Sequence, residues 1–355
     1  MIYTKRLEQL RHQLAANNLP ALLITNLKDI YYLTGFWGSA GTVLITAERQ
    51  VLITDDRYIT YAQSVVKDFE VVSDRDALSV VAAILKDSKV TDLAFEDEVS
   101  VAYYQAMQTV FEGIRLVPTA DMVMNLRMIK DETEIAIIQR ACQISDQAFL
   151  DALDFIKPGK TELEVANFLD FRMREMGSEA VSFDTIAASG YRSAMPHGRA
   201  SEKVIEAGDA LTLDFGCIYE HYVSDMTRTI YIGSVSDEEA EIYQTVLEAN
   251  QALIAAAKAG MEYREFDGVP RRVIEAAGYG PYFTHGIGHG MGLDVHEIPY
   301  FRQTATDKIQ AGMVLTDEPG IYLEGKYGVR IEDDLLITET GCKILTLAPK
   351  ELIVI

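Results

Sequence analysis

Apolar residues recur at three- and four-residue spacing through positions 3–17, with Leu7, Leu10 and Leu14 on one stripe, which predicts an opening helix. The pattern then shortens. PALLIT (20–25) is an apolar run of strand length, and GTVLITAERQVLITDDRY (41–58) holds two such runs around a charged turn, a hairpin by pattern. Helix and strand signals alternate onward: a helix over 77–86, a strand in DLAFE, a helix near 99–112 and a strand in IRLVPT. These elements make a mixed α/β unit without a catalytic constellation, and a boundary is expected between 121 and 131.

Beyond the boundary, DETEIAIIQRACQISDQAFLDALDFI reads as one long amphipathic helix with Ile135, Ile138, Cys142 and Phe149 on a shared stripe. Lys157-Pro158-Gly159 ends it. Thr161 with Glu164, and Ser236 with Glu239, have the capping-box spacing and each predicts a helix start. Pro270 interrupts a helical pattern, so a helix start or kink is expected there.

Two segments switch to strand periodicity. LTLDFGCIYEHYVSDMTRT (211–229) places Asp214 at the end of one apolar strand and Asp225 at the start of another. Antiparallel pairing would bring these carboxylates together, and close carboxylates repel unless a proton or cation lies between them. VLTDEPGIY…GVRIEDDLLIT repeats the arrangement with Glu318 and Glu332. It reads as a degenerate duplication in which each hairpin delivers two acids. Arg330, two residues before Glu332, shares its strand face and is expected to orient that carboxylate.

Composition narrows the function. A chain of 355 residues with 48% hydrophobic content is globular and long enough for two domains. A net charge of −22 excludes sequence-independent nucleic-acid binding. Cys142, Cys217 and Cys342 form no CxxC and fit a reducing compartment better than a disulfide framework or zinc ribbon. The first helix lacks an apolar signal core, and no run reaches the roughly 20 apolar residues of a membrane span. A cytoplasmic protein with no membrane partner is expected.

Four of the six histidines, His197, His285, His289 and His296, lie beside the acidic hairpins in sequence. Three of them sit in THGIGHGMGLDVHE, whose glycines let backbone approach a site closely. A phosphate cradle is the rival reading. The spacing fits neither the phosphate-loop pattern nor the dinucleotide fingerprint, and no lysine follows. Four carboxylates with an imidazole instead make a hard ligand set suited to two divalent cations such as manganese. Two such ions about 3.5–4 Å apart can share an activated water.

The ordered set SGYRSAMPH, DFG…SDMTRT, GHGMGLDVHE, EPGIY and GVRIEDD resembles the metallopeptidases of the aminopeptidase P and prolidase family, over essentially the whole chain. The resemblance implies an α+β protein: an N-terminal mixed α/β domain of creatinase type (1–125), then a pita-bread catalytic domain (126–355). Its curved sheet would hold the metals inside, with helices outside. Carried over by position, the metal ligands would be Asp214, Asp225, His289, Glu318 and Glu332, with Asp225 and Glu332 bridging. Two Mn²⁺ ions are expected, with Co²⁺ or Zn²⁺ as alternatives. The implied catalytic residues are His197, His296 and Glu318. His285, His197, His296 and Arg330 would contact or orient substrate.

The implied reaction is hydrolysis of an Xaa-Pro peptide bond by a hydroxide held between the metals. Glu318 would shuttle the proton, and His296 with a metal would stabilise the oxyanion. Some related prolidases carry an arginine soon after the motif that here is VHE, to meet a dipeptide's carboxylate. Here Tyr300 stands in that region, and Gly286 rather than an arginine follows His285. The expectation is therefore aminopeptidase P specificity, with Xaa-Pro dipeptidase as the alternative and Arg192, Arg199 or Arg302 as substitute cations. A metal-free binding module on the same fold is a second alternative. The family also implies a homodimer or higher homo-oligomer, with Trp37 either a core residue or a pocket or subunit contact.

Overall fold

A computed structural model describes residues 2–301 and 304–355; Arg302 lies outside the described residues. The chain divides into two compact units, Met1–Arg127 and Met128–Ile355.

The first unit begins with α1 (Ile2–Ala16), β1 (Ala21–Ile24), α2 (Leu27–Thr34), β2 (Thr42–Thr46), β3 (Gln50–Thr54) and α3 (Ile59–Val65). β4 (Glu70–Ser73), α4 (Ala77–Asp87), β5 (Asp92–Glu96), α5 (Val101–Val110), β6 (Arg115–Thr119) and α6 (Met124–Arg127) follow. Its sheet runs β4-β3-β2-β1-β5-β6. The expected hairpin β2–β3 is antiparallel, as is β1–β2, and the outer pairings are parallel. Leu23, Leu44, Val51 and Ile53 pack with Val81, Leu85 and Met107. α2, α3 and β4 are too short to announce themselves by periodicity. Trp37 is 38% exposed and meets Tyr31 edge-on with centroids 5.4 Å apart, so it is a surface aromatic rather than a core residue.

The second unit carries α7 (Glu132–Phe155), α8 (Glu162–Glu175), β7 (Ala180–Val181), β8 (Ile186–Ser189), β9 (Ala210–Phe215), β10 (Cys217–Tyr219), β11 (Tyr222–Val223) and β12 (Met226–Tyr231). It then repeats the order with α9 (Asp237–Ala256), α10 (Tyr263–Ala276), β13 (His289–Gly290), β14 (Glu297–Tyr300) and β15 (Val314–Asp317), followed by β16 (Gly320–Leu323), β17 (Tyr327–Arg330), β18 (Asp333–Ile337) and β19 (Cys342–Ile344). Capping boxes at Asp131, Thr161 and Ser236 start α7, α8 and α9. α10 runs through Pro270 instead of starting there: its first turn lies at Tyr263, and Pro270 sits in the interior.

Each half of this unit buries its own core. Ile144, Phe149, Val165 and Leu169 of α7 and α8 pack on Leu211, Leu213, Met226 and Ile230 of β9 and β12. Ile242, Val246 and Phe266 of α9 and α10 pack on Leu315, Leu335 and Ile337 of β15 and β18. Because strand side chains alternate, helices on one face leave every second residue for the other. Among the described residues, no helix is long and apolar enough to cross a membrane.

Candidate metal centre

In the first hairpin β9 pairs antiparallel with β12, and Asp214 stands opposite Thr227. Leu211 and Leu213 face the helices, so Asp214 faces away from them. Asp225 precedes β12 by one residue, two before Thr227, and is turned to the same side. The hairpin tip folds further than its pattern suggested, into β10 and β11, which pair with each other, and β10 also pairs with β7. In the second hairpin β15 pairs with β18, Asp317 opposite Asp333. Glu318 follows β15 directly, and Glu332 precedes β18 directly. The excursion between them is the ladder β16–β17.

The histidine loop reaches the centre by close backbone packing. A Cβ on Gly288 would lie 2.3 Å from the Thr316 carbonyl oxygen, and one on Gly290 would lie 2.3 Å from that of Ile298. These glycines let β13 lie between β14 and β15, and the His289 N–H donates to Thr316 Oγ1 at 3.0 Å. His289 Nδ1 is 3.0 Å from the Gly290 carbonyl oxygen. A carbonyl only accepts, so Nδ1 carries the proton and Nε2 turns its lone pair to the acids. Nε2 lies 3.6 Å from Glu318 Oε1 and 3.8 Å from Asp225 Oδ2.

All nine residues singled out in the sequence line one cavity of about 710 Å³. Ligand atoms of Asp225, His289 and Glu332 lie within 4.8 Å of one another, and all three residues are buried. Burial, then the charges of Glu332 and Asp214, push the Asp225 carboxyl far above the usual range. Burial with Glu318 and Asp214 does the same to Glu332. Burial pushes Glu318 up to about 8 against the pull of Arg330. Burial lowers His289 to about 4, with His296 adding to the effect. The imidazole is thus neutral and the acids crowd one another. A buried donor set in that state fits divalent cations. Asp214 Oδ1, buried with no hydrogen-bond partner, is a further open acceptor.

Arg330 reaches Glu332 less directly than expected and holds a second acid as well. Its Nη2 donates to Asp214 Oδ2 at 2.6 Å, while Nε donates to Thr227 Oγ1 at 2.9 Å. The Thr227 hydroxyl then donates to Glu332 Oε2 at 2.6 Å. The guanidinium therefore reaches Glu332 through a threonine and grips Asp214 directly. Its Nη1 donates to the Tyr322 hydroxyl, which sits 2.8 Å from His285 Nε2. His285 Nδ1 is occupied by the Gly286 carbonyl at 2.8 Å, and burial lowers this imidazole to about 4. His285 is thus wired into the protein on both nitrogens. His197 and His296 are exposed to the cavity, the latter with its ring 4.3 Å from that of His289.

Sequence reasoning missed Thr227, Tyr322 and Asp334, whose Oδ2 accepts from the Asp225 N–H at 3.1 Å. Thr227 alone carried a signal, being two residues from Asp225 on a strand. Of the substitute cations considered, Arg192 is committed to buried Glu162, with Nε 2.9 Å from Oε2.

Residues 136–339 match the model of Metallopeptidase family M24, and residues 6–129 match the Creatinase/Prolidase N-terminal domain. The chain is 43% identical to a Xaa-Pro dipeptidase from Bacillus anthracis, with 99% of this chain and 100% of that one covered at a TM-score of 0.97. It is 38% identical to the Xaa-Pro dipeptidase of Pyrococcus horikoshii, over 99% of both chains. An X-Pro aminopeptidase from Thermotoga maritima is 42% identical, with 95% and 98% covered and a TM-score of 0.90. The two-domain fold is the creatinase-like pita-bread fold.

Proposed function

The chain belongs to metallopeptidase family M24, and from that premise we propose that it hydrolyses Xaa-Pro dipeptides. Two divalent cations, manganese in the first place and cobalt or zinc as alternatives, would be held by Asp214, Asp225, His289, Glu318 and Glu332. The observation that carries the specificity is full-length similarity, at 38–43% identity, to proteins described as Xaa-Pro dipeptidases. This reading replaces the aminopeptidase P specificity expected from Tyr300 and Gly286. Both residues do line the cavity, but a missing arginine at one position leaves other routes to a carboxylate. The Thermotoga maritima aminopeptidase keeps aminopeptidase P as the second reading.

When bound, the cations supply Lewis acidity and a water acidic enough to act as a nucleophile near neutral pH. The rest falls to the chain. Four carboxylates match the charge of two dications, and Asp225 and Glu332, both buried and near His289, would help hold them. Arg330 fixes Asp214 directly and Glu332 through Thr227, which sets donor directions before any ligand arrives. Glu318, whose Oε1 lies 3.6 Å from His289 Nε2, would take a proton from the attacking water and return it to the departing proline nitrogen. The exposed imidazoles of His197 and His296 donate to the carbonyl oxygen as its charge develops. His285 acts through Tyr322 and positions Arg330.

The test is hydrolysis of an Xaa-Pro dipeptide against Xaa-Pro tripeptides and longer peptides, with metal-stripped enzyme reloaded with Mn²⁺, Co²⁺ or Zn²⁺. Turnover of the dipeptide in preference to the longer peptides is expected. Turnover of longer peptides alone restores aminopeptidase P. No turnover, with less than one equivalent of metal retained, returns the metal-free binding module.

A further inference from the structure

A dipeptide substrate carries a carboxylate one residue from the scissile bond, and the acids of the centre repel it. A cation lining the cavity would offset that charge. Among the described residues lining the cavity, histidines aside, the cationic side chains are Arg330 and Arg199. Arg330 is buried and its donors are taken by Asp214, Thr227, Tyr322 and the Pro196 carbonyl. Arg199 is different. Its side chain is 78% exposed and pairs with Asp184, itself 71% exposed, at 3.1 Å.

The backbone of Arg199 is fixed although its side chain is not. Its N–H donates to the His197 carbonyl at 3.0 Å, and its own carbonyl accepts from Arg192 Nη2. Arg192 is in turn locked onto Glu162, which is fully buried. The guanidinium therefore starts from a rigid base two residues beyond His197. An exposed ion pair holds weakly, so a carboxylate entering the cavity can displace Asp184. Phe183, Ile186 and Val295 line the same cavity and offer apolar surface to a proline ring.

We propose that Arg199 is the specificity-determining residue that binds the C-terminal carboxylate of an Xaa-Pro dipeptide, with Asp184 as the counter-charge it exchanges. The proposal rests on the dipeptidase reading. Arg199 occupies the role that an arginine near position 300 would otherwise fill, from a different loop. Its planar fork binds a carboxylate with two parallel hydrogen bonds. The dipeptide would lie along a charge gradient, amine towards the buried acids and carboxylate towards Arg199.

The experiment compares an Xaa-Pro dipeptide with its C-terminal amide on the manganese-loaded wild type and on Arg199→Met, Arg199→Lys and Asp184→Asn. In Arg199→Met the dipeptide KM rises by about 10-fold or more, as expected for a lost charge-assisted pair, with kcat changed far less. The amide, lacking the charge, suffers a penalty of less than about 2-fold. Arg199→Lys recovers part of the loss, because it keeps the charge and loses the fork. Asp184→Asn lowers the dipeptide KM. Equal effects on acid and amide, or none on either, overturn the proposal. A wild type that ignores the dipeptide while cleaving longer Xaa-Pro peptides overturns the reading beneath it instead.

Discussion

Glu332 and Asp333 are neighbours in sequence and live in opposite electrostatic worlds. Strand alternation sends Glu332 to the cavity face and Asp333 to the helix face. Both are buried. Behind the sheet, Arg228 Nη2 donates to Asp333 Oδ1 at 2.8 Å, and Lys350 Nζ donates to Oδ2. Burial opposes the Asp333 charge, yet Arg228 and Lys350 together hold its carboxyl below the ordinary value. Asn250 donates to Asp317 and Asp333, each at 3.2 Å. In front, Asp225 and Glu332 are pushed far upward by burial and by the neighbouring carboxylates, and Arg330 donates to Asp214 beside them. The Asp333 charge is neutralised by the chain itself. The front cluster is arranged to be neutralised from outside. Protein cations build Asp333 into the fold, and the acids in front form a site.

The largest effect should come from removing one front acid. Asp225→Asn should abolish uptake of the second cation and lower turnover by roughly 10³-fold, the scale of several kcal/mol of lost charge stabilisation. In the presence of chelator the same variant should be no less stable than wild type in urea, because one repelling charge has gone. A destabilised chelated variant would mean that Asp225 is a structural acid like Asp333. The rear cluster should respond with the opposite sign. Arg228→Met leaves Asp333 buried with one cation fewer and should cost about 3–5 kcal/mol, with or without manganese, read as a shift in urea midpoint. A loss under about 1 kcal/mol would break the contrast.

A smaller effect is expected in the first unit, where Glu96 stands between the two cases. It accepts from the Thr25 and Asn26 N–H groups, while burial and the charge of Asp29 push it up to about 7. Its folded value exceeds its usual 4.5, so between 4.5 and about 7 the folded chain holds a proton that the unfolded chain has released. Stability of this unit therefore falls as pH rises through that window. Trp37, the single tryptophan, lies in this unit and reports its unfolding by fluorescence. Glu96→Gln should flatten the pH dependence; an unchanged slope would assign it to other groups.

The acids were legible in the sequence because chemistry and period coincide there. Asp214, Asp225, Glu318 and Glu332 end or begin apolar strands, and a strand end is where a carboxylate can turn to a cavity. The division of Glu332 from Asp333 follows from the same alternation. The grip of Arg330 on Asp214 was not legible, since it spans 116 residues and depends on how two hairpins are packed. Thr227, Tyr322 and Asp334 were hidden for the same reason. α2, α3 and β4 are too short for periodicity, and α10 starts at Tyr263, a turn and more before Pro270. The residue at Tyr300 alone does not decide specificity, because Arg199 lines the same cavity from another loop.

The central claim is that the front acids form a cage for two divalent cations. Equilibrium titration of chelator-stripped protein with Mn²⁺, with bound metal counted directly, tests it. Two equivalents per chain are predicted, the protein gaining stability against urea as they bind, by about 2.7 kcal/mol per site at 100 times the dissociation constant. Less than one equivalent, with no change in stability, would contradict the account.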